Sequence, residues 1–329
     1  MRKVLIIRFS SIGDIVLTTP VIRCLKTQLN VEVHYITKDK YACILEDNPY
    51  VDKVFSIDKK SNSLKKIVKL LKLEKYSIIV DLHKNFRSKY ICFKLGIKPL
   101  VYDKINRQKL LFTKFKIDKL PDLHIVDRYL ETVKPLRIKN DGKGLDYHIP
   151  IMDYIIPQHL DIRLKSGHFV AFVIGATHAT KRLPAKKIKS ICEIANKELI
   201  VLIGGKEDIE ASLIIEQAGN HIINLCGKLN LHQSASIIDQ ARVVVAHDTG
   251  FMHIAAALKR PVISIWGNTV PKFGMYPYFP TNSTVNYKII ENTTLSCRPC
   301  SKLGQNYCPK DHFKCMNDLI NKQIADTFS

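Results

Sequence analysis

The chain has 329 residues, of which 46% are hydrophobic and 25% are charged, and its formal net charge at pH 7 is +21. The length predicts two domains of ordinary size, and the composition is typical of a soluble globular protein. No apolar run reaches the roughly 18 residues of a membrane helix, and the apolar patch near the N-terminus is too short for a signal peptide. We therefore expect a cytoplasmic protein without a membrane span.

Positive charge is concentrated in the first half of the chain. Residues 1–150 hold 31 Lys and Arg against 16 Asp and Glu, whereas residues 151–329 hold 20 against 14. An anionic partner of the first half is one interpretation, and solvated lysine-rich surfaces are the other. DNA-binding zinc-finger spacing and the aromatic signature of RNA-binding modules are both missing, so we expect no nucleic-acid partner.

The chain opens with a strand, a polar glycine loop and a helix. Val4 to Ile7 predict a buried strand, Ser10 to Asp14 form the loop, and apolar residues from Ile15 to Leu25 recur at helical spacing. Pro20 stands early in this helix, where its missing N–H group is tolerated. Asp14 is the only carboxylate of the loop, and it is either a helix cap or a general base at a cleft.

Three further strands are predicted in the first half, over 31–36, 54–57 and 78–80. The amphipathic, lysine-rich helix predicted over 63–73 is typical either of a surface helix or of one that lies on anionic lipid. The polar loop 81–88 follows a strand and offers His83, Lys84 and Arg87 to an anionic or hydroxyl-rich substrate. Residues 101–125 lack periodicity and predict a mobile loop, and a helix follows over 124–133.

After a linker that begins near Gly142, the alternation of strands and helices restarts. Strands are predicted over 169–174, 199–203, 222–225, 243–245 and 262–265. The first four lead into polar loops over 175–184, 204–208, 226–229 and 247–253. Because the carboxyl ends of parallel strands share one sheet edge, these loops predict a nucleotide-sized cleft with Lys181 at its phosphate end. No G-x-G-x-x-G motif occurs, which argues against a nicotinamide dehydrogenase.

The loop that begins at His247 joins a buried strand to a helix. Asp248 or Thr249 can cap that helix, and Gly250 lets a ligand approach the backbone. Unpaired N–H groups at a helix N-terminus attract anions, and His253 lies one turn further on at the same end. Both a phosphate site and an ordinary strand–helix turn are compatible with this pattern.

A cysteine-rich segment lies near the end of the chain. Cys297, Cys300, Cys308 and Cys315 fall within 19 residues, with His312 between the last two. Four cysteines can hold a tetrahedral zinc ion, and a redox pair at Cys297 and Cys300 or plain reduced thiols are the alternatives. A closing helix is predicted over 313–324.

Six segments, in this order, resemble glycosyltransferase family 9, the heptosyltransferases of lipopolysaccharide core assembly. They are RFSSIGDIVLTTP (8–20), DLHKNFRS (81–88), GATHATKRLP (175–184), IGGKED (203–208), HDTGFMHIAAAL (247–258) and the cysteine-rich segment (297–316). The resemblance implies an α/β protein of the GT-B fold, with two doubly wound Rossmann-like domains facing each other across a cleft. Residues 1–155 would then bind the acceptor, and residues 156–329 would bind the nucleotide-sugar donor.

The resemblance also implies a reaction, which inverts the anomeric centre of an ADP-sugar and requires no metal or other cofactor. Asp14 matches the family's catalytic base, and Lys181 matches the lysine that offsets charge on the departing diphosphate. The matching donor-binding residues are Thr177, Glu207, Asp248, Thr249, Gly250 and His253. The matching acceptor-side residues are Ser11, Gly13, Arg87 and Ser88. The Asp-x-Asp motif of metal-dependent glycosyltransferases does not occur in the sequence.

The expected function is therefore transfer of heptose from ADP-heptose to a lipopolysaccharide core or a related glycolipid. An acceptor that carries phosphates or acidic sugars, at the inner face of the inner membrane, would explain the basic first half. A nucleotide-sugar epimerase of the same fold and a non-catalytic binder of nucleotide or glycolipid are the alternatives. A binder has no need of a base, so the presence of Asp14 and Lys181 argues against the second. His178, in the loop before Lys181, has no assigned role.

Overall fold

A computed structural model of the chain describes residues 2–58 and 63–328. The chain forms two units. Unit 1 comprises Met1–Ile105, Leu123–His148 and Pro280–Asn282, and unit 2 comprises Asn106–Asp122, Ile149–Phe279 and Ser283–Ser329. The sequence-based division after residue 155 lies seven residues beyond the main boundary between the units. It also assigns residues 106–122 to the first domain and residues 280–282 to the second, whereas the structure places them in unit 2 and unit 1.

Unit 1 is built on a parallel sheet of five strands. In chain order these are β1 (Lys3–Ile7), β2 (Glu32–Lys38), β3 (Lys53–Ile57), β4 (Ile78–Asp81) and β5 (Leu100–Val101). Their order across the sheet is β3-β2-β1-β4-β5, and Val4 of β1 pairs with Val33 on one side and Ile78 on the other. The connections change direction between β1 and β4, and ligands of open parallel sheets bind at such a point.

The described residues between β1 and position 133 contain seven α-helices, of which the sixth belongs to unit 2 and the others to unit 1. They are α1 (Ile12–Val16), α2 (Thr19–Leu29), α3 (Cys43–Glu46), α4 (Ser63–Leu73), α5 (Phe86–Leu95), α6 (Asn106–Leu110) and α7 (Ile125–Val133). The lysine-rich helix α4 has the predicted bounds, and its Ile67, Val68 and Leu71 are buried in the core of unit 1. Most of its apolar face is therefore covered by protein, whereas Leu70 and Leu73 are exposed.

The single helix predicted over Ile15 to Leu25 is wrong, because α1 ends at Val16 and α2 begins at Thr19. A continuous helix would bring the Pro20 ring against the carbonyl of residue 16 and leave that carbonyl without its donor. The break resolves this conflict locally. The Thr18 and Thr19 hydroxyls donate to the carbonyl oxygens of Ile15 and Val16, at 2.7 and 2.8 Å.

The segment predicted as a loop over 101–125 contains α6 and one turn of π-helix (Leu111–Phe115). Polar contacts hold it to unit 2. Lys116 Nζ donates to the carbonyl oxygens of Cys297 and Pro299, at 3.0 and 2.9 Å, and Asp118 pairs with Lys272. Contacts of this kind leave no hydrophobic period in the sequence, so the pattern gave no sign of them.

Unit 2 is built on a parallel sheet of six strands. They are β6 (Val170–Val173), β7 (Ile200–Ile203), β8 (Ile222–Asn224), β9 (Val243–His247), β10 (Val262–Trp266) and β11 (Tyr287–Glu291). Their order is β11-β10-β9-β6-β7-β8, so the connections change direction between β6 and β9. The edge strand β11 was not predicted, because its residues are only partly buried and it lacks the apolar run of the central strands.

The helices of unit 2 that follow β6 are α8 (Ala185–Ile194), α9 (Ile209–Glu216), α10 (Leu231–Asp239), α11 (Gly250–Ala257), α12 (Lys314–Asn317) and α13 (Asn321–Ala325). The closing helix predicted over 313–324 is thus two short helices. The break follows Asn317, whose carbonyl accepts Lys187 Nζ at 2.8 Å instead of a backbone N–H one turn later. Among the described residues, no helix is long and apolar enough to span a membrane.

Candidate active site

The predicted site residues form two polar clusters, one in each unit. In unit 1 they lie in the loops after β1 and β4, and in unit 2 mainly in the loops after β6 and β9. In both sheets these two strands are neighbours at the point where the connections change direction. Parallel pairing brings the two loops of each pair to the same edge of the sheet, which explains why residues distant in sequence meet there.

Asp14 lies in the first turn of α1 and is held on both carboxylate oxygens. Its Oδ1 accepts Arg8 Nη2 at 2.6 Å, and its Oδ2 accepts the backbone N–H and the hydroxyl of Ser11, each at 3.0 Å. About 22% of the Asp14 side chain remains exposed. Asp14 therefore closes a capping box with Ser11 and still presents an edge to solvent, so the cap and the base are not exclusive roles. Gly13, beside it, is buried.

Arg8 fixes the charge state of Asp14. Burial alone would raise the pKa of Asp14, but the Arg8 guanidinium and the hydrogen bonds from Ser11 hold this pKa below its usual value. Arg8 is itself almost fully buried, where its Nη1 donates to the Leu82 carbonyl at 2.6 Å and its Nε donates to the Ser10 carbonyl at 2.9 Å. Asp14 is therefore a carboxylate at neutral pH, positioned by a guanidinium that cannot swing away without losing these contacts.

The neighbourhood of Asp14 is otherwise basic. Burial, with the charges of Arg8 and Lys104, lowers the pKa of His83 to about 3, so this ring is neutral at pH 7. The His83 ring packs edge-on against Phe9 with 4.9 Å between centroids. Burial and the charge of Arg8 also lower the pKa of Lys104. The positive charges of Arg8 and Lys104 act on the same region, and together they create a potential that attracts an anionic ligand.

The loop after β4 is held by Asp81. The Asp81 carboxylate accepts the Ser88 hydroxyl at 2.7 Å and the backbone N–H groups of His83 and Lys84 at 2.9 and 2.7 Å. Ser88 is fully buried, so any part it takes in acceptor binding is through the shape of this loop. Arg87, the preceding residue, is exposed and can reach a ligand.

In unit 2, Lys181 and Asp248 form the centre of the second cluster. Lys181 Nζ lies 2.6 Å from Asp248 Oδ2, and the Thr269 hydroxyl donates to the same oxygen at 2.8 Å. Both charged side chains are mostly buried. An ammonium group has three donors, so the ion pair orients Lys181 and leaves donors for a further anion.

The remaining donor-side residues surround the start of α11. Gly250 is its first residue, and Thr249 precedes it in an extended conformation. The Thr249 hydroxyl is buried without a hydrogen-bond partner in the described chain, which suits a residue that meets a ligand oxygen. His253 is buried on α11, whereas Thr177 and Glu207 are exposed in the loops after β6 and β7.

Two contacts that the sequence did not reveal hold the Lys181 loop. His247, at the end of β9, accepts the Leu183 N–H on its Nε2 at 3.0 Å, and burial lowers the pKa of His247 to about 3. Thr180 Oγ1 accepts the Gln305 N–H at 2.8 Å and donates to the Gln305 carbonyl at 3.0 Å. The segment around Gln305 therefore braces the loop that carries Lys181. His178 lies against Gly304, because a Cβ added at Gly304 would lie 2.6 Å from the His178 Cβ. His178 therefore packs against the same segment.

Arg8 and Thr269 are also absent from the predicted site. Arg8 stands inside the first family segment, and a charged residue directly after a buried strand was the signal that could have identified it. Thr269 follows β10, next to β9 in the sheet, but a single threonine in a turn carries no pattern of its own.

All nine cysteines are free thiols. Cys297 Sγ lies 3.9 Å from His312 Nε2, and the Cys300 thiol donates to the Cys297 carbonyl at 3.2 Å. Burial is the main cause that raises the pKa of Cys300 to about 11. Over residues 2–58 and 63–328, no three or more His, Cys, Asp or Glu side chains are arranged to hold a metal ion.

Known proteins resemble the chain in sequence and in fold. The model of glycosyltransferase family 9 (heptosyltransferase) matches residues 64–309. Lipopolysaccharide heptosyltransferase 1 of Campylobacter coli is 24% identical over 295 residues, which cover 81% of this chain and 84% of that protein.

Two solved structures from E. coli share the architecture. One is ADP-heptose lipopolysaccharide heptosyltransferase II, with a TM-score of 0.73 and 19% identity over 98% of this chain and 96% of that chain. The other is a heptosyltransferase with ADP, with a TM-score of 0.68 and 21% identity over 99% of this chain and 100% of that chain. These proteins have the GT-B fold, which confirms the predicted fold class.

Proposed function

Because the chain belongs to glycosyltransferase family 9, the heptosyltransferase family, we propose that it transfers heptose from ADP-heptose to a lipopolysaccharide core or a related glycolipid. The family membership makes the chain a glycosyltransferase. The donor is inferred from the E. coli relative solved with ADP and from the polar cluster around Lys181. The acceptor is inferred from the name of the C. coli relative and from the basic surroundings of Asp14.

Asp14 is the proposed general base. Its carboxylate takes the proton of the acceptor hydroxyl while that oxygen attacks the anomeric carbon of the donor sugar. The new bond joins the acceptor oxygen to the anomeric carbon, and the bond from this carbon to the diphosphate oxygen breaks with its electron pair going to ADP. Attack from the side opposite the diphosphate inverts the anomeric centre. The observation that carries this proposal is the ionised, partly exposed Asp14 carboxylate held by Arg8.

Lys181 is proposed to offset the negative charge that grows on the departing diphosphate. Asp248 holds the ammonium group in place, and the Thr249 hydroxyl with the first N–H groups of α11 adds donors for phosphate oxygens. Gly250 lets the diphosphate approach the backbone. Because Lys181 supplies positive charge and the sequence has no Asp-x-Asp motif, we expect transfer without a metal ion.

The assignments of the other residues follow from their positions. We propose that Thr177, Glu207 and His253 complete the donor side, and that Ser11, Gly13, Arg87 and Ser88 shape the acceptor side. We assign acceptor binding to residues 1–155 and donor binding to residues 156–329. A glycolipid acceptor would place the protein in the cytoplasm, in peripheral contact with the inner face of the inner membrane.

Titration calorimetry with ADP, UDP, GDP and CDP tests the donor assignment. We expect the wild type to bind ADP selectively and Lys181→Ala to bind it at least about tenfold more weakly. Lys186→Ala is the matched control, because Lys186 is an exposed lysine of the same unit. Selectivity for another nucleotide would contradict the ADP-heptose assignment, and failure to bind any of them would favour a protein that is not an active transferase.

A further inference from the structure

The helix α5 carries two phenylalanines that are exposed to solvent. Phe86 is 92% exposed and Phe93 is 79% exposed. They are seven residues apart, so they lie on the same face of the helix, about 10 Å apart along its axis. Exposure of two large aromatic side chains to water is unfavourable, because their burial would release free energy. A pair of them on one face therefore marks an interaction surface.

Basic side chains surround these two rings. Lys89 lies between the phenylalanines on the same face, and Lys94 Nζ sits 5.7 Å from the centroids of both the Phe93 and the Tyr90 rings. The helix contains no acidic residue. We call Phe86, Lys89, Tyr90, Phe93 and Lys94 the α5 surface.

A cavity of about 700 Å³ adjoins the α5 surface. Phe93, Ile97 and Val101 contribute apolar walls, and further lining comes from Lys84, Lys89 and Lys98. Its one acidic residue among those described is Asp81, whose carboxylate is already engaged by Ser88 and two backbone N–H groups. The cavity therefore combines an apolar wall with ammonium groups, as a phosphate-bearing amphiphile requires.

We propose that the α5 surface is the part of the chain that contacts an anionic lipid bilayer. Exposed phenylalanines insert at the headgroup boundary, while the lysines around them pair with lipid phosphates. The inference rests on the proposed function, since a glycolipid acceptor resides in a membrane. The α5 surface also lies near the proposed base in the chain's fold. Helix α5 starts at the end of the loop whose Leu82 carbonyl accepts Arg8, the residue that holds Asp14.

The structure favours α5 over α4 for this role. The lysines Lys65, Lys66, Lys69 and Lys72 of α4 are exposed, and so are its Leu70 (52%) and Leu73 (76%), but its three other large apolar side chains after Leu64 are buried in the core of unit 1: Ile67, Val68 and Leu71. Helix α4 thus has less apolar side chain left to insert than α5, whose Phe86 and Phe93 are 92% and 79% exposed. The α5 surface presents charge and apolar rings together.

Co-sedimentation with lipid vesicles tests the proposal. The probes are vesicles of phosphatidylcholine alone and vesicles with about 30% phosphatidylglycerol, at about 0.1 M salt. We expect the wild type to bind only the anionic vesicles. Phe86→Ser with Phe93→Ser should weaken this binding at least about tenfold. Ile151→Ser with Met152→Ser is the matched control, because these residues of unit 2 are 94% and 91% exposed and their loss should leave binding unchanged.

A second pair of variants separates position from charge. Lys89→Gln with Lys94→Gln, on α5, should weaken vesicle binding about tenfold, whereas Lys65→Gln with Lys69→Gln, on α4, removes the same charge and should weaken it less than about threefold. Equal losses would overturn the proposal, as would a wild type that ignores anionic vesicles. Sedimentation velocity tests whether a second copy of the chain occupies the α5 surface instead. If the phenylalanine variant abolishes self-association and leaves vesicle binding intact, the α5 surface joins two copies of the chain and the proposal is wrong.

The vesicle measurement needs neither donor nor acceptor sugar, so it can fail independently of the proposed function. Transfer to a short water-soluble acceptor without vesicle binding would contradict the membrane contact alone. Vesicle binding without any transfer activity would contradict only the proposed donor and acceptor, and would leave the membrane contact standing.

Discussion

One oxygen of the Asp14 carboxylate accepts Arg8 Nη2 at 2.6 Å, and the other accepts the backbone N–H and the hydroxyl of Ser11. A base that acts near neutral pH has to be ionised, and a buried carboxyl left alone would tend to keep its proton. The opposite charge of Arg8 outweighs burial here, so the pKa of Asp14 is lowered. Arg8 is in this account a positioning residue, which acts on the substrate only through Asp14.

Arg8→Gln is predicted to move the acid limb of the kcat/KM profile to higher pH. Without the guanidinium, burial raises the pKa of Asp14, and the protonated carboxyl cannot accept the acceptor's proton. In the wild type, the acid limb lies at lower pH than for an ordinary aspartate, since the pKa of Asp14 is lowered. A pH–rate profile that loses height without shifting would contradict this role of Arg8 and point to misfolding. Lys38→Gln, at the end of β2, is the control for loss of a nearby charge.

Glu74 offers a separate test at the residue scale. Hydrogen bonds from Lys3 Nζ and Lys53 Nζ, both at 2.6 Å, lower the pKa of Glu74 to about 2 from its usual 4.5. A carboxyl with a lowered pKa stabilises the fold fully above its unfolded value and loses this contribution as pH falls to the folded value. We predict that Glu74→Gln melts below the wild type at about pH 7 and that the difference shrinks below about pH 4.5. A difference that stays constant down to about pH 3 would contradict the ion pairs as its source.

At the scale of elements, the loop between β6 and α8 shows how the donor side is assembled. Two separate parts of unit 2 hold it: the end of β9 and the turn after it, through His247 and Asp248, and the segment near Gln305. A loop held by elements distant in sequence has few alternative conformations, so Lys181 is positioned before a ligand arrives.

Thr180→Val tests this support. The variant keeps the shape of the side chain but removes both hydrogen bonds of the hydroxyl to Gln305. The partly buried Gln305 N–H then loses its partner, whereas the Gln305 carbonyl keeps the backbone N–H of Thr180 at 3.1 Å. We predict destabilisation of about 1–3 kcal/mol and weaker binding of ADP. Thr284→Val is the control, because Thr284 is an exposed threonine of the same unit. Unchanged melting and unchanged ADP affinity in Thr180→Val would show that the segment does not brace the loop.

The elements that could be predicted from the sequence are the ones with a strong period. The buried strands β1, β6 and β9 are apolar runs, and the polar loops at their ends contain the predicted Asp14, Lys181 and Asp248. The break between α1 and α2 was missed because Pro20 is acceptable at a helix start, and the sequence does not say which start it marks. The Thr180–Gln305 contact joins residues 125 positions apart, and no local pattern predicts such a pairing.

At the scale of the whole molecule, the two units divide the proposed chemistry. The base and its basic surroundings belong to unit 1, and the lysine and the start of α11 belong to unit 2. Each unit can therefore fail alone. Loss of the base should leave nucleotide affinity intact, and loss of Lys181 should leave the charge state of Asp14 intact.

The most direct test of this account measures transfer of labelled heptose from ADP-heptose to a lipopolysaccharide-core acceptor, together with ADP affinity. We predict transfer by the wild type, a loss of about a hundredfold or more in kcat for Asp14→Asn, and unchanged ADP affinity in that variant. Asp47→Asn, an exposed carboxylate of unit 1, should behave as the wild type. Transfer by Asp14→Asn at the wild-type rate would contradict Asp14 as the base, and no transfer by the folded wild type would contradict the heptosyltransferase assignment of donor and acceptor.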